Sequence, residues 1–334
     1  MAVPMIPPAG APAFLAAAGW KGAQILPLAG DASFRRYFRI VDGDRRAILM
    51  DAPPPHEDPR PFIAVGEWLC GHGFAAPAIL ARDLAQGLVL LEDFGDARVR
   101  EYVDAAPEEE MAVYTRAVDL LALLHRQPAK ADLPPYDRAV YQREAGLLPE
   151  WFCPAAGLDV DQESYIAAWD QVLPIVEGDA APVVTVLRDY HAENIMLLPD
   201  HARSHGLGLL DFQDALAGHP AYDLVSLLQD ARRDVSPEVE RAMLAHYQSV
   251  AAVSADFEAA YAVLGAQRNA KIIGIFTRLW KRDGKPRYLD FLPRMWGLLE
   301  RDLAHPALAP VAAWFAVNVP TQARGPLHSD ENAA

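Results

Sequence analysis

The chain has 334 residues, of which 52% are hydrophobic and 22% are charged. This composition is ordinary for a globular protein with a sizeable core, and the length predicts one large domain or two smaller ones. Because 45 acidic residues outnumber 30 basic ones, the formal charge is -15, and nucleic acid is not an expected partner: an acidic surface repels phosphate backbones. A cationic substrate would be compatible with this charge but is not required by it.

The sequence contains neither a predicted membrane span nor a secretion signal. No apolar run approaches the roughly 20 residues that cross a bilayer. Prolines interrupt the apolar N-terminus, whose first basic residue is Lys21, whereas a secretory signal starts with positive charge and continues as an unbroken apolar run. Cys70 and Cys153 lack the spacing of zinc ligands and are predicted to be reduced thiols. We therefore expect a cytoplasmic protein with no membrane partner and no obligate protein partner.

The first ninety or so residues have a strand-rich pattern. Residues 37–41 and 46–50 are strand-like runs on either side of Asp42-Gly43-Asp44, a turn sequence typical of hairpins. Prolines between residues 53 and 61 predict an irregular connection, and residues 62–71 then favour a helix that ends at glycines. The apolar run 88–91 predicts a short buried strand.

From residue 107 onward the pattern is mainly helical. Carboxylates at residues 108–110 suit the positive end of a helix dipole. Spacings of three and four then predict one buried face, made of Met111, Tyr114, Val118, Leu121 and His125. Further helices are predicted over residues 222–235, 237–253, 257–280 and 288–303.

This order of elements predicts an α+β protein with two lobes. A small β-rich lobe, residues 1–92, would be followed by a larger, mainly helical lobe, residues 93–334. Two-lobed protein-kinase-like enzymes have this layout. In them the N-terminal lobe binds the nucleotide, and the C-terminal lobe carries the catalytic and substrate-binding residues.

The most informative pattern is an Asp, an Asn five residues later, and a second Asp after a short predicted hairpin. Asp189 is the candidate catalytic base, because a hydroxyl nucleophile needs an acceptor for its proton. Asn194 and Asp211 are candidate ligands of Mg²⁺, a cation that prefers oxygen donors. Together the three residues indicate phosphoryl transfer from a nucleotide. The alternative is that they are solvated turn residues.

Residues 28–38 lie where a loop that covers the nucleotide phosphates is expected. Small side chains let backbone N–H groups approach phosphate oxygens, and hydroxyl or basic side chains add donors. The candidates for cofactor contacts here are Gly30, Asp31, Ala32, Ser33, Phe34 and Arg35. Because residues 28–38 contain a single glycine, an ordinary turn is the alternative interpretation.

Two other segments have candidate roles. Leu91, Glu92 and Phe94 lie at the predicted connection between the lobes, where backbone groups and apolar walls would contact adenine. A plain linker has the same pattern. Asp223 is expected to accept hydrogen bonds from the backbone of the catalytic loop and to hold that loop in shape. Capping of its own helix is the alternative role for this carboxylate.

Together these segments resemble the aminoglycoside phosphotransferase and choline kinase superfamily. Within it they are most similar to the bacterial N-acetylmuramate/N-acetylglucosamine anomeric kinases. The resemblance covers about residues 25–315. It is carried by GDASFRRY at residues 30–37, LLEDFG at 90–95, RDYH at 188–191, DFQDA at 211–215 and YDLVSLL at 222–228.

The resemblance implies an enzyme that transfers the γ-phosphate of ATP to the anomeric hydroxyl of an amino sugar, in the recycling of cell-wall peptidoglycan. It implies that Asp189 is the base, that Asn194 and Asp211 hold Mg²⁺, and that residues 30–34 form the phosphate loop. An anomeric hydroxyl is more acidic than an ordinary alcohol. Orientation of this hydroxyl is therefore expected to matter more than strong basicity at Asp189.

The chain departs from the wider kinase pattern in three places. Leu187 precedes Arg188-Asp189 where that pattern usually has His, and residues 47–51 read AILMD, without the lysine that contacts ATP. Glu67, in the helix that follows, lies at an unsuitable offset for the usual lysine partner. The absence of both the lysine and its partner is less costly than the absence of one of them, because a lone buried charge is destabilising. Arg35 and Arg36 are the candidates to replace the lysine at the phosphates.

The sugar-binding residues are the least constrained by the sequence. The candidates for substrate contacts are Arg188, Tyr190, His191, Glu193, Glu144 and Trp151. Surface charge or aromatic packing explains each of them equally well. Two other functions stay open: a kinase for aminoglycosides or other small alcohols, and a catalytically silent nucleotide-binding regulator. Retention of Asp189, Asn194 and Asp211 argues against the silent regulator, because a binding protein needs no base.

Overall fold

The computed structural model describes residues 5–28, 34–177, 181–200, 204–251 and 253–327. The backbone divides into two compact units. The first comprises Met1–Leu120 and Glu193–Ala215, and the second comprises Leu121–Ala192 and Leu216–Ala334. A sheet-containing N-terminal region followed by a mainly helical one confirms the predicted α+β class. The assignment of nucleotide binding to residues 1–92 and of catalysis to residues 93–334 stays a prediction.

The first unit is built on a five-stranded antiparallel sheet. Its strands are β1 (Gln24–Pro27), β2 (Arg36–Asp42), β3 (Arg45–Asp51), β4 (Ile79–Asp83) and β5 (Leu88–Glu92), and their order across the sheet is β1-β2-β3-β5-β4. β2 and β3 form the predicted hairpin. Gly43 in its turn has a φ of 61°, the left-handed conformation that two-residue hairpin turns require.

One face of this sheet carries an apolar core, because successive strand residues point to opposite faces. Phe38, Ile40, Leu49 and Leu90 are buried there together with Leu15 of helix α1 (Ala11–Ala17). The opposite face is therefore the one on which Tyr37, Met50 and Val89 meet across the strands, as the strand register shows.

Three further helices begin in the first unit: α2 (Arg60–Gly71), α3 (Val99–Ala105) and α4 (Glu110–His125). α2 and α4 confirm the helices predicted from residues 62 and 107. Tyr114, Val118 and Leu121 are buried as predicted, but the prediction for Met111 is wrong, since it is 38% exposed. Met111 lies in the first turn of α4, directly after an exposed 3₁₀ turn, and this end of the helix extends beyond the core.

The second unit is mainly helical. Its helices are α5 (Arg138–Ala145), α6 (Cys153–Ala155), α7 (Gln162–Asp170), α8 (Pro174–Glu177), α9 (Ala221–Leu228), α10 (Pro237–Val250), α11 (Phe257–Lys281), α12 (Leu292–Leu303) and α13 (Ala309–Asn318), with a π-helical turn at Leu148–Phe152. The long helix α11 packs against α5, α9, α12 and the π-helical turn. Within the described ranges, no helix combines the length and apolarity that crossing a bilayer would require.

Four short strands flank the segments that carry the candidate chemistry. β6 (Val184–Val186) pairs with β9 (Leu216–Gly218) in the second unit, and β7 (Ile195–Leu197) pairs with β8 (Leu207–Leu209) in the first. Each pair is an antiparallel ladder of three residues. Asp189 follows β6, Asn194 precedes β7 and Asp211 follows β8.

Two predicted helices differ most from those observed, and the helix predicted over residues 237–253 ends earlier, at Val250. The helix predicted over residues 222–235 ends at Leu228, because the side chain of the next residue, Gln229, turns inward and donates to Asp302 over 2.9 Å. The predicted helix 288–303 begins with a 3₁₀ segment, Pro286–Phe291, and α12 starts at Leu292. Pro293 explains this start, since proline is tolerated only in the first turn of an α-helix.

We predict that Gly274→Ala destabilises the second unit by about 1–3 kcal/mol, the usual cost of overpacking. A methyl group at Gly274 of α11 would overlap the backbone carbonyl of Leu147 and lie 2.6 Å from its Cβ, where backbone cannot move aside cheaply. Gly297→Ala in α12 is the matched control, since no atom lies within 4 Å of its Cβ position. There the substitution should stabilise the helix by about 0.5–1 kcal/mol. Urea unfolding measures both changes, and equal effects would contradict the packing argument.

Candidate active site

The β7–β8 hairpin of the first unit brings Asn194 and Asp211 to the same end of the hairpin. Ile195 pairs with Leu209, so the residues that flank this pair leave the ladder together. The N–H of Leu210 continues the ladder by donating to the carbonyl of Asn194 over 2.9 Å. The two predicted metal ligands are therefore neighbours through backbone pairing, although 16 residues separate them in the chain.

Asp211 has a conformation that is uncommon for a residue with a side chain. Its φ is 58°, in the left-handed region. Non-glycine residues seldom occupy this region, and those that do are concentrated at functional sites. The side chain of Gln213 donates to its Oδ1 over 2.9 Å. The next residue, Phe212, is fully buried and stacks on Phe62 of α2 with ring centroids 4.8 Å apart. This aromatic contact anchors the segment that presents Asp211.

Gly66 on the same helix makes room for that anchor. A Cβ at Gly66 would lie 3.3 Å from the Phe212 ring, tighter than ordinary van der Waals contact. The absence of a side chain at Gly66 thus leaves space for the Phe212 ring.

The donors at this end of the hairpin fit Mg²⁺ that is shared with a nucleotide. Across the described parts of the chain, no group of three or more His, Cys, Asp or Glu side chains could hold a metal by itself. Asn194 and Asp211 supply one amide oxygen and one carboxylate. Mg²⁺ commonly takes one or two protein ligands and completes its shell with phosphates and water. An all-protein cage, as for structural zinc, is not present in those parts.

In the second unit, the loop that carries Asp189 is held by Asp223. The N–H of Leu187 donates to one carboxylate oxygen of Asp223 over 2.7 Å, and the N–H of Arg188 donates to the other over 2.8 Å. Asp223 is fully buried in the first turn of α9. The structure therefore contains the contact expected for this residue, and carboxylate hydrogen bonds of this kind are roughly twice as strong as neutral ones.

The loop itself is tightly turned. Arg188 has a φ of 71°, so it lies in the left-handed region, as Asp211 does. It directly precedes Asp189, the candidate base. The N–H of Asp189 donates to the carbonyl of Leu187 over 2.9 Å, and the N–H of His191 donates to the carbonyl of Asp189 over 3.1 Å. Residues 187–191 are thus fixed by their own backbone as well as by Asp223.

The side chain of Arg188 belongs to a buried charged cluster, which consists of Arg188, Glu144, Lys271 and Tyr136. Glu144 forms ion pairs with Arg188 and with Lys271, the latter over 3.0 Å, and it accepts a hydrogen bond from the Tyr136 hydroxyl. Burial opposes ionisation of Glu144, but the two cations outweigh it and lower the pKa of the carboxyl. The cluster fixes the guanidinium of the residue immediately before Asp189.

The other predicted sugar contacts lie in different surroundings. Tyr190 and His191 are buried, burial raises the pKa of the Tyr190 hydroxyl, and His191 Nε2 lies 3.2 Å from a guanidinium nitrogen of Arg232. Glu193 forms an ion pair with Arg100 of α3 in the first unit. Trp151 is half-buried in the π-helical turn.

The structure describes part of the predicted nucleotide-binding set. Gly30, Asp31, Ala32 and Ser33 lie outside the described residues. Phe34 is 67% exposed and stacks on His56 with ring centroids 5.2 Å apart. The guanidinium of Arg35 lies 3.8 Å from Glu57 and 3.9 Å from Asp211.

The predicted hinge residues lie at the end of β5. Leu91 is buried within the strand, and Glu92 accepts a hydrogen bond from the N–H of Ala78 over 3.2 Å. Phe94 packs against the β7–β8 hairpin, so closely that a Cβ at Gly208 would lie 2.7 Å from its ring. The contact with adenine expected for these residues stays a prediction.

Sequence reasoning missed Lys271, Tyr136 and Glu57. Lys271 had a usable signal, because it follows the polar run Gln267 to Asn269 in α11, and the stretches on either side of these residues are mostly apolar. Tyr136 and Glu57 lie in irregular segments whose contacts depend on tertiary structure, and no local pattern indicates them.

The comparisons with known proteins show which family the chain belongs to. Residues 24–263 match the phosphotransferase enzyme family. The chain is 38% identical to the N-acetylmuramate/N-acetylglucosamine kinase of Caulobacter vibrioides, over 93% of this chain and 96% of that protein. It is 37% identical to the enzyme of the same name from Pseudomonas aeruginosa, over 91% of this chain and 92% of that protein.

Solved structures support the fold. A choline/ethanolamine kinase family protein from Mesorhizobium loti superposes with a TM-score of 0.61, at 14% identity over 91% of this chain and 97% of that chain. An aminoglycoside phosphotransferase superposes with a TM-score of 0.57, at 15% identity over 87% and 94% of the two chains. The fold is therefore that of the aminoglycoside phosphotransferases and choline kinases, and the chain belongs to the phosphotransferase enzyme family.

Proposed function

We propose that the protein is an ATP-dependent kinase that phosphorylates the anomeric hydroxyl of N-acetylmuramate, N-acetylglucosamine or both. The observation that carries the proposal is the extent of similarity to kinases named for these two sugars, at 37–38% identity over more than nine tenths of the chain. The Asp189 loop held by Asp223, and the hairpin end with Asn194 and Asp211, supply the residue types that phosphoryl transfer requires.

Asp189 accepts the proton of the anomeric hydroxyl and orients its oxygen towards the phosphorus. Its place in a fixed loop favours orientation as the larger contribution, because well-positioned reactants save translational and rotational entropy. Asn194 and Asp211 hold Mg²⁺, which neutralises charge on the β- and γ-phosphates when bound. Residues 30–35 cradle the phosphates, and Leu91, Glu92 and Phe94 line the adenine site.

Sugar recognition is assigned to four residues in or next to the Asp189 loop and to Trp151 of the π-helical turn. Arg188, Tyr190, His191, Glu193 and Trp151 are the proposed contacts. The burial of Glu144 against two cations favours a positioning role, in which it acts on the sugar site through Arg188. We place the reaction in the cytoplasm, where ATP is available, with the amino sugar and ATP as the only required partners.

A substrate panel tests the proposal. The protein is incubated with ATP, Mg²⁺ and, separately, N-acetylmuramate, N-acetylglucosamine, plain hexoses and kanamycin, and phosphorus NMR locates any transferred phosphate. Phosphate on the anomeric oxygen of an N-acetylated amino sugar is expected. Phosphorylation of kanamycin alone would overturn the proposal in favour of an aminoglycoside kinase. Nucleotide binding without turnover of any substrate would favour a regulator.

We predict that Asp189→Asn lowers kcat by about 10²–10⁴-fold, because proton transfer to a positioned carboxylate contributes that much to catalysis. The amide cannot accept the proton at neutral pH but preserves the shape of the side chain. Affinity for ATP, measured by calorimetry without sugar, should stay within about twofold of the unmodified protein. Retained turnover would refute Asp189 as the base.

We predict that Asp223→Asn lowers kcat by about 10- to 100-fold, the scale on which small misplacements of catalytic groups act. An amide can accept one of the two backbone N–H groups but turns its own NH₂ towards the other, which leaves that donor unsatisfied. Asp161→Asn is the matched control, since Asp161 also accepts two backbone N–H groups, at the exposed start of α7. Asn caps helices as well as Asp does, so the control should keep full activity. Equal kcat values for the two variants would contradict the role of Asp223.

A further inference from the structure

The lysine that contacts ATP phosphates in protein kinases has no counterpart on β3. In those enzymes a Lys on the third strand pairs with a Glu on the helix that follows. β3 contains no Lys, and Met50, within the segment where the lysine was expected, is fully buried. The only acid of α2, Glu67, forms a surface ion pair with Arg82 over 3.0 Å. Both members of the usual pair are therefore missing from these two elements.

Strand alternation separates the two arginines that could replace the lysine. Arg36 is opposite Asp51 in the β2–β3 register, and Tyr37 is opposite Met50. Arg36 and Tyr37 thus point to opposite faces, and the residue before β2, Arg35, is expected on the face of Tyr37 and Met50. Arg36 donates from Nε to Asp51 over 2.8 Å and from a terminal nitrogen to the carbonyl of Ile6 over 3.2 Å. Its guanidinium is engaged away from the Met50 face.

The contacts of Arg35 agree with this assignment. Its side chain is 13% exposed, with Nε 3.8 Å from Glu57 and a terminal nitrogen 3.9 Å from Asp211, one of the two proposed Mg²⁺ ligands. A second contact joins the same two segments, because Phe34 stacks on His56. Residues 34–35 and 56–57 are therefore held together by a ring contact and an ion pair.

We propose that Arg35, held by Glu57, is a phosphate clamp that supplies the cation missing from β3. It contacts the β- and γ-phosphates of the nucleotide, whereas the lysine of protein kinases contacts the α- and β-phosphates. The inference rests on the proposed kinase function, since it places a phosphate contact beside Asp211. Arginine suits this place because its planar fork can contact two phosphate oxygens at once, whereas lysine acts as a point charge. Glu57 then takes the part that a helix glutamate plays in other kinases, from an irregular segment between β3 and α2.

Calorimetric titration with ATP in Mg²⁺, without sugar, tests the clamp. Arg35→Met should weaken ATP binding by about 10- to 100-fold, the value of a hydrogen bond between charged groups, while AMP binding changes by less than about threefold. Arg82→Met removes the same charge from an exposed pair in the first unit and is the control. Equal ATP affinity of Arg35→Met and the unmodified protein overturns the clamp, as does equal weakening by Arg82→Met.

A double-mutant cycle separates a phosphate clamp from simple structural support. Glu57→Gln should weaken ATP binding by a smaller factor than Arg35→Met, and it should add nothing once Arg35 is already replaced. Additive effects would overturn the positioning role of Glu57. Arg35→Gln provides a second variant if Arg35→Met does not fold.

The same titration distinguishes failure of the clamp from failure of the proposed function. If the unmodified protein binds ATP and Arg35→Met binds it equally, the clamp is wrong and the kinase proposal stands. If the unmodified protein does not bind ATP with Mg²⁺, both are overturned. The sugar panel plays no part in this result.

Discussion

The two hydrogen bonds from the loop backbone to the buried carboxylate of Asp223 are the constraint on which the proposed chemistry depends. They hold Leu187 and Arg188 in place, and Asp189 follows directly. Arg188 is left-handed, which costs roughly 1–2 kcal/mol for a residue with a side chain. Hydrogen bonds to a charged group contribute about 1.5–3 kcal/mol each, so two of them outweigh this strain. These two hydrogen bonds thus stabilise a loop conformation that is unfavourable by itself.

Asp211 shows the same principle with a different support. It is also left-handed, and the stack of Phe212 on Phe62 anchors the segment from the apolar side. A fully buried aromatic side chain supplies about 1.5–3 kcal/mol relative to exposure, enough to offset one unfavourable backbone conformation. In both units, a residue at or beside a candidate catalytic group is strained, and a neighbouring buried group holds it there.

Local patterns predicted the elements well where the pattern is itself the cause of the structure. The Asp42-Gly43-Asp44 turn, the helix ending at Gly71 and the apolar strand β5 follow from backbone preference and apolar periodicity. The predicted end of α9 was wrong because the helix stops where Gln229 turns inward to contact Asp302, a partner that is distant in sequence. The pairing of Glu144 with Lys271 was missed for the same reason. Tertiary contacts choose these partners, and no local window contains them.

The candidate site likewise contains residues that local patterns predict and residues that only tertiary contacts reveal. Asp189, Asn194, Asp211 and Asp223 were predicted from residue type and spacing, because phosphoryl transfer demands those residue types. The choice between Arg35 and Arg36 required the register of β2 and β3, which assigns the two side chains to opposite faces. Glu57, which no motif contains, emerged only from its distance to Arg35.

Oxygen isotope labelling measures directly whether the phosphoryl group is transferred to the sugar's own anomeric oxygen. N-acetylglucosamine carrying ¹⁸O at C1 is incubated with the protein, ATP and Mg²⁺, and the product is examined by phosphorus NMR. An isotope-shifted resonance is expected for the sugar phosphate, because the labelled oxygen becomes the bridge between carbon and phosphorus. A sugar phosphate whose resonance is unshifted would contradict transfer to the anomeric oxygen, since phosphate would then be bound through another oxygen.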